Sequence, residues 1–295
     1  MRLMVDSEVV KAYISNLGVM GDRYKAGTKL LDYTYNSPLP LEVGVTKKEA
    51  KSDLPLMGRI RNIFTDKRKA NTKLSFKEAV SLSPLFKEKG VADVINKFFS
   101  GHENVVFGSV AEKMWLGKDY HRNPVDVNLF AYINTRKLID ELKAFFGDNI
   151  RLDPEQTDVI QILHKGRWTR AFDIYGYKQL RKKENKWGKE PYIGYGKMRC
   201  GPIKTEDGLL ISDLRELATK KAVSVLTIRE FGAAPAPHRL LDVFDWLDMA
   251  DYMAKYSGNK EMLECIKEFK ATIPQSVIQK FNSPEYRTRW ALERD

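Results

Sequence analysis

The chain has 295 residues, a formal net charge of +11, and 43% hydrophobic and 11% aromatic residues. This length accommodates two domains or one large one, and the composition is typical of a folded globular protein. No apolar run reaches the length of a membrane span, and the first residues lack the apolar segment of a signal peptide. We therefore expect a cytoplasmic protein without a membrane partner.

The cysteines and histidines exclude two kinds of site. Two cysteines provide neither a disulfide framework nor the paired spacing of zinc ligands. The four histidines are scattered along the chain and form no zinc motif. These residues are Cys200, Cys265, His102, His121, His164 and His238.

Residues 1–100 are predicted to form an N-terminal region of helices and an arm. Ser7 can cap a helix over residues 7–17, which Gly18 would close. Residues 36–53 contain two prolines and no sustained period, which predicts a loop. Short helices are predicted over residues 75–82 and 91–99. A proline and a glycine separate these two segments.

Residues 101–180 are predicted to form a strand–helix–strand core. Its strands are predicted at 105–107, 125–132, 159–163 and 168–175, and its helices at 109–115 and 135–145. Thr135 can cap the second helix, which Gly147 would stop. The last two strands read as a hairpin that turns at Lys165-Gly166.

Residues 181–295 are predicted to form a basic loop followed by a C-terminal helical region. Its helices are predicted over residues 212–226, 238–255, 262–269 and 285–292. Ser212 can cap the first of these helices. On the second, Arg239 and Asp242 are three residues apart, so the two side chains can pair on one face.

A constellation of small and oxygen-bearing residues lies within the predicted core. Gly108-Ser109 follows an apolar strand and opens a helix, whose N-terminus attracts phosphate. Asp126 and Asn128 are two apart in a predicted strand, so both lie on one face. Asp173 lies in another predicted strand. Oxygen ligands on neighbouring strands beside a helix N-terminus predict a site for Mg²⁺ and a nucleotide phosphate.

This order of residues resembles the DNA polymerase β-like nucleotidyltransferase superfamily, in its minimal, AbiEii-like type. The matching pattern is an apolar strand, Gly-Ser, a helix, Asp126-Val127-Asn128 and a later strand Asp173. The resemblance implies an α+β fold with a mixed β-sheet flanked by helices and with helical N- and C-terminal regions. Residues 116–124, between the helix and Asp126, form a longer spacer than the family pattern has.

The resemblance also implies a reaction and a role for each residue. The enzyme would move an NMP from an NTP such as ATP to a hydroxyl acceptor and release pyrophosphate. Asp126, Asn128 and Asp173 would be the catalytic residues that bind Mg²⁺ or Mn²⁺, and Asp173 would help to activate the acceptor hydroxyl. The nucleotide would be bound by Gly108, Ser109, Lys118, Lys220 and Lys221.

A basic segment rich in aromatic residues surrounds Asp173. Basic side chains neutralise phosphates, and aromatic faces stack on bases. The alternative interpretation is a solvated loop with a few aromatic residues in the core, which would have the same composition. Beside a nucleotide site, we expect an RNA or DNA end to contact Arg167, Arg170, Lys178, Arg181, Lys182 and Lys183.

Asn128 stands where the family pattern has a second carboxylate. An amide oxygen can bind a cation but carries no charge, and carboxylate charge strongly affects Mg²⁺ binding. Three explanations remain open: a degenerate protein, an engineered inactive form, or an Asn that suffices. The alternative function is a catalytically silent nucleic-acid-binding protein on the same scaffold. If the pattern is accidental, Asp126 and Asp173 should lie far apart.

Overall fold

The computed structural model describes residues 21–42, 66–100, 104–131, 133–175, 203–226 and 237–289. The helix predicted over residues 7–17 lies outside these ranges. Four predicted nucleic-acid-binding residues also lie outside them: Lys178, Arg181, Lys182 and Lys183.

The described ranges contain strands and helices joined by loops and turns. The strands are β1 (Leu41–Glu42), β2 (Asp66–Ala70), β3 (Asn104–Phe107), β4 (Val127–Ala131), β5 (Ile150–Leu152), β6 (Val159–His164), β7 (Arg167–Tyr175), β8 (Ile203–Lys204) and β9 (Leu210–Ile211). The helices are α1 (Asp22–Asn36), α2 (Phe76–Ser81), α3 (Val91–Ser100), α4 (Gly108–Leu116), α5 (Thr135–Phe146), α6 (Leu214–Leu226), α7 (Pro237–Ser257), α8 (Lys260–Ala271), α9 (Gln275–Asn282) and α10 (Pro284–Arg289).

The described strands join in one mixed sheet in the order β1-β2-β8-β9-β3-β4-β7-β6-β5. β3 is antiparallel to β4, β4 is parallel to β7, and β7 forms an antiparallel hairpin with β6. The α+β fold class with a mixed sheet and helices is therefore confirmed. Strands from all three predicted regions of the chain contribute to this sheet.

Local chemistry explains several of these elements. Ser75 caps α2 in a capping box with Glu78, whose carboxylate accepts the Ser75 backbone N–H at 2.8 Å. The β6–β7 hairpin turns at Lys165 (φ 50°) and Gly166 (φ 76°). Two successive left-handed residues give the turn that matches strand twist, which confirms the predicted hairpin.

Other predicted boundaries are wrong. Residues 41–42 form a strand where a loop was expected, because Leu41 pairs with Ala70 of β2. The cap of α5 is Asn134 and not Thr135, since the Asn134 side chain accepts the N–H of Arg136. The carboxylate of Asp213, next to Ser212, likewise accepts the backbone N–H of Arg215 in the first turn of α6.

A continuous hydrophobic core lies between the sheet and the helices. Its largest fully buried side chains include Trp115, Trp246, Phe76, Phe99 and Phe172. α6 and α7 pack on each other and on α4, so the C-terminal helices lie beside the helix that Gly108 opens. Within the described ranges, none of the helices combines the length and the hydropathy needed to cross a bilayer.

Candidate active site

Strand register brings most of the predicted site together. Phe107, at the end of β3, pairs with Asn128 of β4. On its other side, Asn128 pairs with Asp173 of β7. Neighbouring strands lie about 4.8 Å apart, so Phe107, Asn128 and Asp173 occupy one row across the sheet, and Gly108 follows directly after Phe107. An accidental pattern was expected to put Asp126 and Asp173 far apart, whereas here the charge of Asp173 acts on Asp126.

Asp126 lies just before β4, which begins at Val127 and not at residue 125 as predicted. Burial raises the pKa of Asp126 above its ordinary value, and the charge of Asp173 acts in the same direction. Arg122 and a hydrogen bond from the Asn128 amide lower that pKa in part. The two carboxylates therefore repel each other across Asn128, and a bound cation would relieve this repulsion.

Gly108 allows the close approach between α4 and β4. Its φ is +66°, and a Cβ at this position would lie 3.3 Å from the Cβ, Cγ and Nδ2 atoms of Asn128. The first N–H groups of α4 have no partner within the helix, so they can bind an anion. Ser109, the next residue of the helix, is buried with only 4% of its surface exposed.

Replacing Gly108 with alanine should destabilise the fold at this point. Left-handed backbone costs a non-glycine residue about 1–2 kcal/mol, and the new methyl group also crowds Asn128. Gly147→Ala is the matched control, since Gly147 has φ +52° and no atom within 4 Å of its added Cβ. Urea unfolding should show a larger loss for Gly108→Ala. Equal losses would mean that Asn128 does not crowd this position.

Asp173 is buried, and its Oδ2 atom accepts a hydrogen bond from the Arg170 Nη1 atom at 2.9 Å. Arg170 is itself exposed to solvent. Arg167 lies at the opposite end of β7, where it pairs with His164 beside the hairpin turn. Of the predicted nucleic-acid-binding residues in the described ranges, Arg170 therefore adjoins the site and Arg167 does not.

The three predicted nucleotide-binding lysines occupy different places. Lys118 is exposed on the turn that follows α4. A helical rise of 1.5 Å per residue puts it about 15 Å along the axis from Gly108, so it does not join the row of site residues. The Lys220 Nζ atom lies 5.7 Å from the centroid of the Phe107 ring, beside the site. Lys221 instead belongs to a buried ionic network.

Lys220 should make stability depend on pH. Burial and the charge of Lys221 lower the pKa of Lys220 from 10.5 to about 7. Between these values the unfolded chain holds a proton that the folded chain has released, so stability rises with pH. Relative to Lys220→Met, the native chain should gain unfolding free energy from pH 7 toward about pH 10. A flat or falling difference in urea titrations would contradict this assignment.

The buried ionic network centres on Asp245, which is fully buried on α7. Arg122 donates to both Asp245 oxygens, from Nε at 3.1 Å and from Nη2 at 3.0 Å. Lys221 donates to Asp245 Oδ2 at 2.6 Å and to Asp242 Oδ1 at 2.8 Å. Burial opposes ionisation, but Arg122, Lys221 and His121 together hold the pKa of Asp245 well below its usual range.

Asp242 has partners that the sequence did not predict. Besides Lys221, the Ser224 hydroxyl donates to Asp242 Oδ2 at 2.7 Å. The predicted partner, Arg239, has a side chain outside the described part of the chain. The described contacts of Asp242 therefore tie α7 to α6.

The Tyr120 hydroxyl connects two buried carboxyl groups. It lies within hydrogen-bonding distance of Glu112 and of Asp245. Burial raises the pKa of Glu112, whereas the pKa of Asp245 is lowered. Of the two acids, Glu112 therefore takes up a proton more readily.

The site offers few carboxylates to a metal. Among the described residues, no group of three or more His, Cys, Asp and Glu side chains is arranged to hold an ion. Mg²⁺ is commonly held by one or two carboxylates together with substrate phosphates. Asp126 and Asp173 are two such carboxylates, and the charge of Asp173 acts on Asp126.

Comparisons with protein-family models, with curated proteins and with solved structures found no match to this chain. The resemblance to the nucleotidyltransferases therefore stays a prediction from the sequence.

Proposed function

We propose that this protein is a metal-dependent nucleotidyltransferase that moves an NMP from an NTP to a hydroxyl acceptor. The observation that carries the proposal is the pairing of Phe107 with Asn128 and of Asn128 with Asp173. This register puts the N-terminus of α4 next to Asn128 and two strand spacings, about 10 Å, from Asp173. A phosphate-binding helix end next to oxygen ligands is what nucleotidyl transfer needs.

Each residue has a chemical role in this proposal. The N–H groups of Gly108 and Ser109 hold the terminal phosphates, and Lys220 offers a cation to them. Asp173 accepts the proton of the acceptor hydroxyl as its oxygen bonds to the α-phosphorus. The bond from that phosphorus to the bridging oxygen breaks, and pyrophosphate leaves.

Asp126 and Asp173, with the Asn128 oxygen, would hold Mg²⁺ or Mn²⁺. The cation would offset the negative charge that accumulates on the phosphates. Arg170 forms a 2.9 Å ion pair with Asp173, so it competes with a cation for this carboxylate. Binding of the cation would therefore release Arg170 toward an acceptor phosphate.

The second candidate function is nucleic-acid binding without chemistry. It is favoured by Asn128, whose amide donates to Asp126 and brings no charge of its own. Such a protein would bind RNA or DNA in a salt-dependent way and release no pyrophosphate.

The test is an incubation with labelled NTPs, Mg²⁺ or Mn²⁺ and a pool of RNA and DNA, using the native chain and Asn128→Asp. We expect Asn128→Asp to transfer more label, because a second carboxylate strengthens metal binding. Asn134→Asp is the matched control, since it adds the same charge at an exposed helix cap. An Asn128→Asp variant that transfers no label to any acceptor would contradict the proposal.

A further inference from the structure

In the described part of the chain, the outer strands of the sheet have a helix on one face. α5 packs against β5 and β6, whose residues Ile150, Ile160 and Ile162 are buried. Alternate residues point the other way: Arg151 is exposed, and Gln161 is half-buried. Arg151 pairs with Gln161 across the strands, so the two side chains share the face opposite to α5.

A β-bulge joins this face to the candidate active site. Gln161 pairs with Arg170 and Ile160 pairs with Phe172, so Ala171 is an extra residue in β7. Without the extra residue, Arg170 and Asp173 would point to opposite faces of the sheet. Bulges re-aim side chains in this way, and here Arg170 reaches Asp173 at 2.9 Å. Arg170 therefore connects this face to the buried Asp173.

An aromatic platform lies farther along the same face. The Arg151 Cζ atom lies 3.9 Å from the centroid of the half-buried Trp168 ring. The Arg151 Nε atom also donates to Gln161 Oε1 at 3.1 Å, and Gln161 Nε2 donates to Asp153 Oδ2 at 2.6 Å. The other oxygen of Asp153 accepts N–H groups of the following turn. The cation and the ring are thus held in place before any ligand arrives.

We propose that the surface formed by Arg151, Gln161, Trp168 and Arg170 binds the single-stranded end of a nucleic acid. A base stacks on the paired Arg151 and Trp168, and Arg170 binds the phosphate nearest to Asp173. From β7 to β5 the surface spans two strand spacings, about 10 Å. At roughly 3.4 Å per stacked step, this distance corresponds to about three nucleotides.

Charge and surface composition favour a nucleic acid over a protein. The chain carries a net charge of +11, which suits a polyanion. In the described part of the chain, Tyr256 on α7 is the exposed large hydrophobic side chain, so Trp168 lies among polar groups and not in an apolar docking patch. The identity of this nucleic acid as the acceptor rests on the proposed function, whereas its binding can be measured alone.

The test measures binding by the fluorescence anisotropy of a labelled single-stranded RNA. A single-stranded DNA of the same sequence is the second probe. Neither nucleotide nor metal is present. Trp168→Ala should weaken binding of the tighter probe by roughly 5- to 150-fold, because it removes a stacked base. Trp168→Phe, which keeps a ring, should lose much less. Arg151→Ala should also weaken binding, because it removes the cation held over the Trp168 ring. Arg170→Ala should lower the slope of log affinity against log salt by about 0.7, because it removes one phosphate contact.

Arg136→Ala is the matched control, because Arg136 is an exposed arginine on α5. Unchanged affinity in both Trp168→Ala and Arg151→Ala, with thermal unfolding intact, would overturn the inference. Paired bases are not free to stack on Trp168. The inference would therefore also be overturned if Trp168→Ala weakened the binding of a duplex probe as much as that of the single strand. Binding losses without any nucleotidyl transfer would support this surface and count against the proposed function alone.

Discussion

Asp245→Ala is expected to lower the free energy of unfolding by about 3–5 kcal/mol. Asp245 is fully buried and accepts hydrogen bonds from Arg122, Tyr120 and Lys221. Truncation would leave the Arg122 guanidinium inside the protein without its bidentate partner. An unpaired buried charge is costly, so the loss exceeds the value of the hydrogen bonds themselves.

Urea unfolding followed by circular dichroism measures this loss. Asp251→Ala is the matched control, because Asp251 lies on the same helix and pairs with the exposed Lys255 four residues away. An exposed pair of this kind contributes less than about 1 kcal/mol. If the two variants shift the unfolding midpoint equally, the network around Asp245 does not stabilise the fold.

Asp126→Asn and Asp173→Asn are each expected to reduce nucleotidyl transfer by about 100-fold or more, measured in the Asn128→Asp background. Each substitution keeps the shape of the side chain and removes a charge that the proposed metal needs. In Asp173→Asn, the group that accepts the hydroxyl proton is also lost.

Steady-state transfer to a labelled acceptor measures this effect. Asp140→Asn is the control, because it removes one charge from the exposed face of α5. We expect the control to keep full activity. Equal rates in the control and in the two site variants would show that Asp126 and Asp173 are not part of a catalytic site.

Local sequence signals were sufficient for the elements around the site. The apolar run before Gly108 predicted β3, and the glycine predicted the start of α4. Lys165-Gly166 predicted the hairpin, because two left-handed residues favour a two-residue turn. These signals act over a few residues, which is why they can be read from a single sequence.

Contacts between distant residues were not predicted. Tyr120 and Asp245 are 125 positions apart, and their hydrogen bond depends on how α7 packs against α4. No period or motif marks Glu112 or Arg122 as partners of Asp245. The buried network was therefore found only in the folded structure.

Sheet register was a second unpredicted feature. The sequence showed that Asp126 and Asn128 are two apart, but not that Asn128 would pair with Asp173. The bulge at Ala171 was equally hidden, because no glycine or proline marks it. The prediction that Lys118 lies near the phosphates does not allow for the length of α4, which separates Lys118 from Gly108.

The most direct test of the central claim is the calorimetric titration of a non-hydrolysable NTP analogue, with and without Mg²⁺. Binding does not require chemistry, so it can be measured whether or not Asn128 permits transfer. We predict that binding requires Mg²⁺ and is lost in both Asp126→Ala and Asp173→Ala. Binding that is unchanged without Mg²⁺, and equally tight in both variants, would contradict the assignment of these residues to one metal and nucleotide site.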